Sequence, residues 1–503
     1  MVSATTATST TRQRFPLDAL SVDDTAADPL YRQLEEQLRT LILERRLEPG
    51  MRLPSTRRLA TDLGVARNTV INAYDQLILE GYLVTARGSG TRVAHDLPEE
   101  LLNAPGGERA HAANAGPLPL SPTGRRIAAF SRWIEVQSFA PPRPFRAHTA
   151  ASDAFPRKLW ARLAARRLRT SRDLLERSDP RGYRPLREAI AAYLGSARGV
   201  ACTADQVIVT AGVQQGIELI AKLLVEPGAA VCMEDPGYAP GRVLFELAGA
   251  RVFSVPVDAE GIEVGRLEEE VPTARIVYVT PSSQFPLGMT MSLARRLALI
   301  EWAAQSDALI LEDDYNGEYR YAGRPLPALY GLAPPGRVIY TGSFSKLLIP
   351  SLRIGYVVVP PDAVDVFAAA RWLVDRHSPP LEQAVLTEFI DEGHFARHVR
   401  RMRTLYAERQ AALVDAASKD LDGILDVPAM DAGLHLIGWL GDGVGEASLL
   451  NAAAAAGLEL APTSWFADRE LVRPSVILGY APFRGAEIRR ATRALSAAFR
   501  GPA

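Results

Sequence analysis

From residue 145 to 500, helix-period stretches alternate with short apolar runs, and that rhythm narrows the possible folds more than any other feature. The runs fall at 206–209, 230–233, 251–255, 275–279, 308–311, 338–341 and 354–358. Several are almost wholly apolar. Such strands need cover on both faces, the pattern of a mainly parallel sheet layered between helices. Helical patterns such as 214–224 and 293–306 supply that cover. A long arginine-rich helix pattern near 392–419 then precedes 434–440 and a last helix over 485–499. A smaller α+β subdomain is expected over about 380–500, within a large α/β domain spanning 145–503.

The chain is 503 residues long, enough for several domains. Residues 1–27 read as a flexible N-terminal arm with no signal-peptide core. No apolar run reaches the roughly 18 residues of a membrane span, so no membrane partner is expected and the cytoplasm is the expected location. Cys202 and Cys232 exclude a disulfide scaffold and a four-cysteine metal knot, and no metal site is expected. Buried thiols are the expectation, with a single disulfide between them the other possibility. Residues 95–144 hold eight prolines and read as a linker, with local order around 127–139.

Residues 28–94 are compact. Leu30, Leu34, Leu38 and Leu41 mark a first amphipathic helix. Pro54 opens a short second helix that Gly64 ends, and a third begins after a tight turn at Val65. The stretch 81–93 reads as strand, glycine turn, strand. A winged helix-turn-helix results, with a core that includes Leu59, Leu63, Val70, Tyr74 and Leu77.

Net charge is -1, so no global field attracts nucleic acid, but a local face exists. Arg67, Asn68 and Thr69 open the third helix, where such helices enter the major groove. Ser55, Thr56, Arg57 and Arg58 suit phosphates, and Arg87 and Arg92 lie on or beside the wing. A helical domain with a salt-laced surface fits the same pattern. The segments Tyr31-Arg-Gln-Leu, Leu47-Glu-Pro-Gly-Met-Arg-Leu-Pro-Ser-Thr-Arg-Arg-Leu-Ala, Val65-Ala-Arg-Asn-Thr-Val and Gly81-Tyr-Leu closely resemble the DNA-binding domain of GntR-type bacterial transcription regulators. The resemblance implies operator binding to double-stranded DNA as a dimer, with Arg57, Arg58 and Arg67 foremost, and association with the nucleoid when bound.

In the large domain, Lys346 follows an apolar strand and a small-residue turn, with Ser343 before it and Arg353 after. A Schiff base with pyridoxal phosphate (PLP) needs a placed amine, and a hydroxyl and a guanidinium can share one phosphate. A turn lysine beside an unrelated surface arginine gives the same letters. Glu312-Asp-Asp-Tyr315 ends a strand in acids, suited to a pyridine nitrogen or to an ordinary acidic loop. Thr210-Ala-Gly-Val-Gln-Gln215 joins a strand to a helix whose first N–H groups can bind phosphate. Tyr238 can stack on a planar ring or merely pack.

Together these segments look like the fold-type I aminotransferase family over roughly 145–500. The resemblance implies that Lys346 is the catalytic-type lysine forming the internal aldimine and that Asp313, the middle acid, pairs with the pyridine nitrogen. It implies that Tyr315 bonds the ring hydroxyl and Tyr238 covers the ring. Val213 and Gln214 by backbone, with Ser343 and Arg353, would hold phosphate. The segment Asp179-Pro-Arg-Gly-Tyr-Arg-Pro-Leu-Arg187 also resembles the family, and Tyr183 would reach the partner subunit's site. A winged helix fused to this fold resembles the MocR-type subfamily of GntR regulators. That implies a PLP-responsive, homodimeric transcription regulator, with a small amine or amino-acid effector sensed through an aldimine.

Three departures stand out against these families. Ser283 and Leu287 stand where the subfamily has histidine and threonine, and Phe285 stands where aminotransferases have asparagine. Ile477 aligns with the arginine that clamps a substrate carboxylate. The expectation is therefore a regulator, and the alternative is an active PLP-dependent aminotransferase with an accessory DNA-binding domain.

Overall fold

The computed structural model describes residues 15–86, 90–97, 118–136, 141–147, 149–172, 174, 176, 178–322 and 326–501. The chain divides into two compact units, Met1–Pro119 and Leu120–Ala503.

In the first unit, α1 (Leu30–Leu43), α2 (Thr56–Leu63) and α3 (Arg67–Leu79) precede the hairpin β1 (Leu83–Ala86) and β2 (Gly90–Val93). Leu34, Leu38, Leu41 and Ile42 form the buried stripe of α1 and meet Leu59, Val70, Tyr74 and Leu77. Pro54 lies ahead of α2 instead of opening it. The Ser55 side chain caps the helix by accepting the Arg58 N–H, and the Pro54 carbonyl accepts from Tyr74 Oη at 3.1 Å. Gly64 ends α2 in a left-handed conformation at φ 68°, which a side chain would resist. The hairpin pairs antiparallel, Leu83 opposite Val93, and forms the wing.

The arm expected to be free over 1–27 is docked where the structure describes it, from residue 15. Leu20 is buried in the unit's core, and Phe15, Leu17 and Val22 pack beside it. Gln37 exchanges two hydrogen bonds with the Ser21 backbone, and Gln33 exchanges two with that of Asp23. Apolar burial and paired amides outweigh the entropy of a loose tail here.

The second unit is built on an eight-stranded sheet. Its strands are β3 (Val207–Thr210), β4 (Ala230–Asp235), β5 (Arg251–Asp258), β6 (Gly261–Ile262), β7 (Ile276–Val279), β8 (Leu309–Asp314), β9 (Val338–Ser343) and β10 (Gly355–Val358), in the order β3-β10-β9-β8-β7-β4-β5-β6. The pairs β5–β4–β7–β8–β9 are parallel. Strand β10 runs antiparallel to both neighbours, and its connection from β9 holds two short helical turns, Phe344–Leu347 and Pro350–Leu352, without a full crossover helix. Strands β4, β8 and β9 run on past their apolar runs into buried polar ends at Asp235, Asp314 and Ser343. Those carboxyl ends are where open α/β sheets place ligands.

Helices Pro380–Asp391 and His394–Asp420 lead to an antiparallel sheet of order β11-β12-β14-β13. Its strands are β11 (Leu425–Asp426), β12 (His435–Leu440), β13 (Ala461–Pro462) and β14 (Ser475–Gly479), covered by Glu446–Ala455 and Gly485–Arg500. Within the stretch read as linker, Pro122–Val136 is a helix whose Arg126 guanidinium donates to the Glu246 carbonyl at 3.3 Å. Phe145 is buried and bridges to Gly479. Both cysteines are free thiols, Cys232 fully buried and Cys202 partly so. Among the described residues, no helix is long and apolar enough to cross a membrane.

Candidate functional site

A cavity of about 280 Å3 opens at the carboxyl ends of the sheet, lined by Val213, Gln214, Tyr238, Asp313, Tyr315, Ser343, Lys346 and Arg353. Strand β9 ends at Ser343, and the single turn Phe344–Leu347 presents Lys346 to it. Burial, reinforced by the Arg353 charge and opposed by Asp313, pushes the Lys346 amine down to about 8. A buried lysine so placed keeps a substantial neutral, nucleophilic fraction near neutral pH.

At one end of the cavity, Gly212 precedes the helix Val213–Leu224 at φ 106°. A Cβ on Gly212 would sit 3.0 Å from the Arg353 guanidinium, and one on Gly355 would sit 2.8 Å from the Gly212 backbone. Only bare backbone allows this close approach. The start of this helix, a guanidinium and the Ser343 hydroxyl thus line one small volume, a cradle for a dianion.

Across the cavity, three consecutive acids on β8 meet three surroundings. Glu312 accepts the backbone N–H groups of Leu329 and Tyr330, and burial lifts its carboxyl to about 7. For Asp314, burial pushes the carboxyl up, but Arg198 and the Tyr340 hydroxyl outweigh it and hold it below its ordinary value. Of the three, Asp313 alone lines the cavity. Its Oδ2 accepts from Tyr278 Oη at 2.6 Å, while its buried Oδ1 has no hydrogen-bond partner among the described residues. Burial lifts it to about 7. A buried acceptor of this kind calls for a cationic or N–H partner. Tyr238 lies nearly parallel to Tyr278, centroids 6.4 Å apart, and Phe285 meets both Tyr238 and Tyr315 edge-on.

The residues of the three departures pack around the same cavity. Phe285 lines it, and with Ile437, Phe466 and Ile477 it forms an apolar cluster that Leu287 joins. Ile477 is fully buried on β14. Ser283 is buried as well. Tyr183 precedes the helix Arg184–Arg198, its N–H donating to Gln383 Oε1 at 2.8 Å. Sequence reasoning missed Tyr278, Thr280 and Phe466 in the wall. Thr280 donates to the buried Glu234 at 2.6 Å. A tyrosine inside an aliphatic strand reads as core, and only the strand register, with Tyr278 beside Leu311 two residues before Asp313, brings it to the site.

In the first unit, Arg67 and Asn68 are exposed at the start of α3, with Thr69 partly so. Ser55, Arg57 and Arg58 are exposed around α2, and Arg67 Nε reaches Thr56 Oγ1 at 3.5 Å. That bond sets Arg67 of α3 beside Thr56 of α2. Arg58 also faces Asp62 at 3.7 Å. Arg92 differs, because its guanidinium donates to the Gly50 carbonyl at 2.9 Å and ties the wing to the preceding turn. Arg87 lies outside the described residues.

Residues 30–93 match the family described as "Bacterial regulatory proteins, gntR family", and 152–437 match "Aminotransferase class I and II". The "Probable rhizopine catabolism regulatory protein MocR" of Rhizobium meliloti is 41% identical over 485 residues, 95% of this chain and 96% of that one. The chain belongs to the MocR-type GntR regulators. A second relative of this MocR-type regulator is the pyridoxine biosynthesis transcriptional regulator PdxR of Corynebacterium glutamicum, 35% identical over 80% of this chain and 82% of that one. The aminotransferase-fold domain of the present chain is similar to crystalline LysN, the α-aminoadipate aminotransferase of Thermus thermophilus complexed with N-(5'-phosphopyridoxyl)-L-leucine. The TM-score is 0.69 and identity 28%, over 76% of the regulator and 97% of the enzyme. The MocR-type chain thus carries nearly the whole length of an enzyme fold beside its winged helix. The residues present fit PLP: an open dianion cradle, an amine near neutrality and an unpartnered buried carboxylate oxygen.

Proposed function

We propose that this regulator holds PLP at Lys346 and binds operator DNA as a homodimer through α2, α3 and the wing. On this reading it senses the cofactor, or a small amine or amino-acid effector, at the same lysine. The observation that carries the proposal is the convergence of Lys346, Asp313 and Arg353 on one cavity of about 280 Å3. When bound, PLP supplies an electrophilic carbon and an electron-accepting ring. Ser343, Arg353 and the N–H groups of Val213 and Gln214 bind its phosphate. Asp313 keeps a proton on the ring nitrogen, Tyr315 bonds the ring oxygen, and Tyr238 covers the ring. In the first unit, Arg67, Asn68 and Thr69 address base edges and Ser55, Thr56, Arg57 and Arg58 the phosphates, with Arg87 and Arg92 on the wing side.

Sensing is favoured over turnover by the apolar cluster of Phe285, Ile437, Phe466 and Ile477 at the cavity edge, which supplies no charge for a substrate carboxylate. A regulator needs only different effector affinities in two conformations. The test is a visible spectrum of purified protein during amine addition, paired with binding to duplex from its own promoter. A cofactor band that responds to an amine, together with altered duplex affinity, supports the proposal. Sustained transamination with no duplex binding would overturn it.

A further inference from the structure

A second cavity, of about 190 Å3, lies at the start of the helix His394–Asp420, away from the cofactor residues. We propose that it binds a small organic anion with an apolar body, a carboxylate of about benzoate size. His394 and Arg397, His394 and His398, Arg397 and Arg401, and His398 and Arg401 are each three or four apart, and all four residues line this cavity. Leu159 and Phe389 supply its apolar wall.

Three further observations point to an anion. The helix is 27 residues long, has no side-chain cap at Gly393 and no acid within its first turn, so its first N–H groups face outward with Glu392, just before the cap, as the nearby acid. His398 is only 4% exposed, and neither ring nitrogen makes a well-formed hydrogen bond to a described residue, the Leu347 backbone approaching the ring without one. Burial, with Arg401 alongside and the Leu347 backbone opposing only in part, pushes His398 down to about 4, so the ring is neutral and offers one N–H donor. The charge comes from Arg397 and Arg401, both exposed at the rim.

Existing contacts leave room for the ligand. Arg397 donates to the Glu392 carbonyl at 3.0 Å and Arg401 to that of Ala154, and a guanidinium holds further donors. The Glu392 carboxylate is engaged by His394 Nε2 at 2.9 Å and by Arg166 at 2.5 Å. Glu388 pairs with Arg166 and with Arg167, the latter at 2.7 Å. The rings of Phe155 and Phe389 meet His398 edge-on, each at 6.4 Å, which suits a flat apolar guest. The first turns also pack behind the Lys346 turn, where Phe395 meets Phe344 at 5.6 Å.

The test is calorimetric titration of the full-length, PLP-loaded protein with sodium benzoate, with acetate and inorganic phosphate as separate arms. Wild type is compared with Arg397→Gln/Arg401→Gln, whose exposed positions spare the core. The expected result is saturable benzoate binding, weaker binding of both other anions, and a loss of about tenfold or more in the double variant, the scale of charged hydrogen bonds. If the double variant does not fold, Arg401→Gln alone is held to a loss of about threefold or more by the same reasoning. Absence of saturable benzoate binding, unchanged affinity in the variant, or phosphate binding tighter than benzoate overturns the proposal.

Discussion

Tyr278 donates its hydroxyl hydrogen to Asp313 Oδ2 at 2.6 Å, from the strand next to the one that carries the acid. This bond lowers the Asp313 carboxyl against the stronger upward push of burial. Tyr278→Phe removes it, so the acid moves above about 7 and is protonated at neutral pH. A protonated Asp313 no longer favours a protonated ring nitrogen. PLP affinity at pH 7.5 is expected to fall about tenfold or more, the scale of a hydrogen bond to a charged group. Absorbance titration of cofactor-free protein checks this, and unchanged affinity would contradict the role given to Asp313.

Lys346 makes a pH prediction. Its amine is held near 8 by burial and by Arg353, against an ordinary 10.5. Below that value the amine is protonated and cannot attack an aldehyde. The rate of PLP attachment to cofactor-free protein should rise with pH and level off above about 8. Stopped-flow absorbance across pH 6–10 gives the profile. A rate still climbing through pH 10 would show a lysine in ordinary solvent.

Beneath the cavity, Arg198 Nε donates to Asp314 Oδ2 at 2.8 Å, and both residues are buried. Removing one member leaves an uncompensated buried charge. Arg198→Met is expected to destabilise the large unit by about 3–5 kcal/mol. Urea unfolding followed by tryptophan fluorescence measures it. A loss under about 1 kcal/mol, typical of exposed pairs, would mean that water reaches Asp314.

On the DNA face, Arg67→Ala should weaken operator binding and reduce the salt slope by about one phosphate contact if it touches the backbone. If it reads a base instead, specificity relaxes and the slope stays. PLP affinity stays unchanged in either case. Fluorescence anisotropy at several salt concentrations separates the two outcomes, and no loss of affinity would remove Arg67 from the interface.

The layered sheet was legible because burial on both faces leaves apolar runs with no polar alternation. The direction of β10 was not, since strand polarity depends on the connection and not on composition. The strands also outran their expected ends. Asp313, Asp314 and Ser343 are polar letters that look like loop, yet each is buried on a strand. Tyr278 was hidden for the opposite reason, because an aromatic among Ile276, Val277 and Val279 looks like core. The docking of residues 15–23 joins the burial of Leu20 to Gln33 and Gln37 reaching across sequence, and distant amide contacts leave no local periodicity. The departures at Phe285 and Ile477 were visible as letters, but their meeting in one apolar cluster required the fold.

The most direct test of the central claim is borohydride reduction of the PLP-loaded protein followed by peptide mapping. The phosphopyridoxyl mass should fall on the peptide containing Lys346, and Lys346→Ala should abolish both the label and the visible band. A label on Lys158, Lys222 or Lys419, or no stoichiometric label at all, would contradict it.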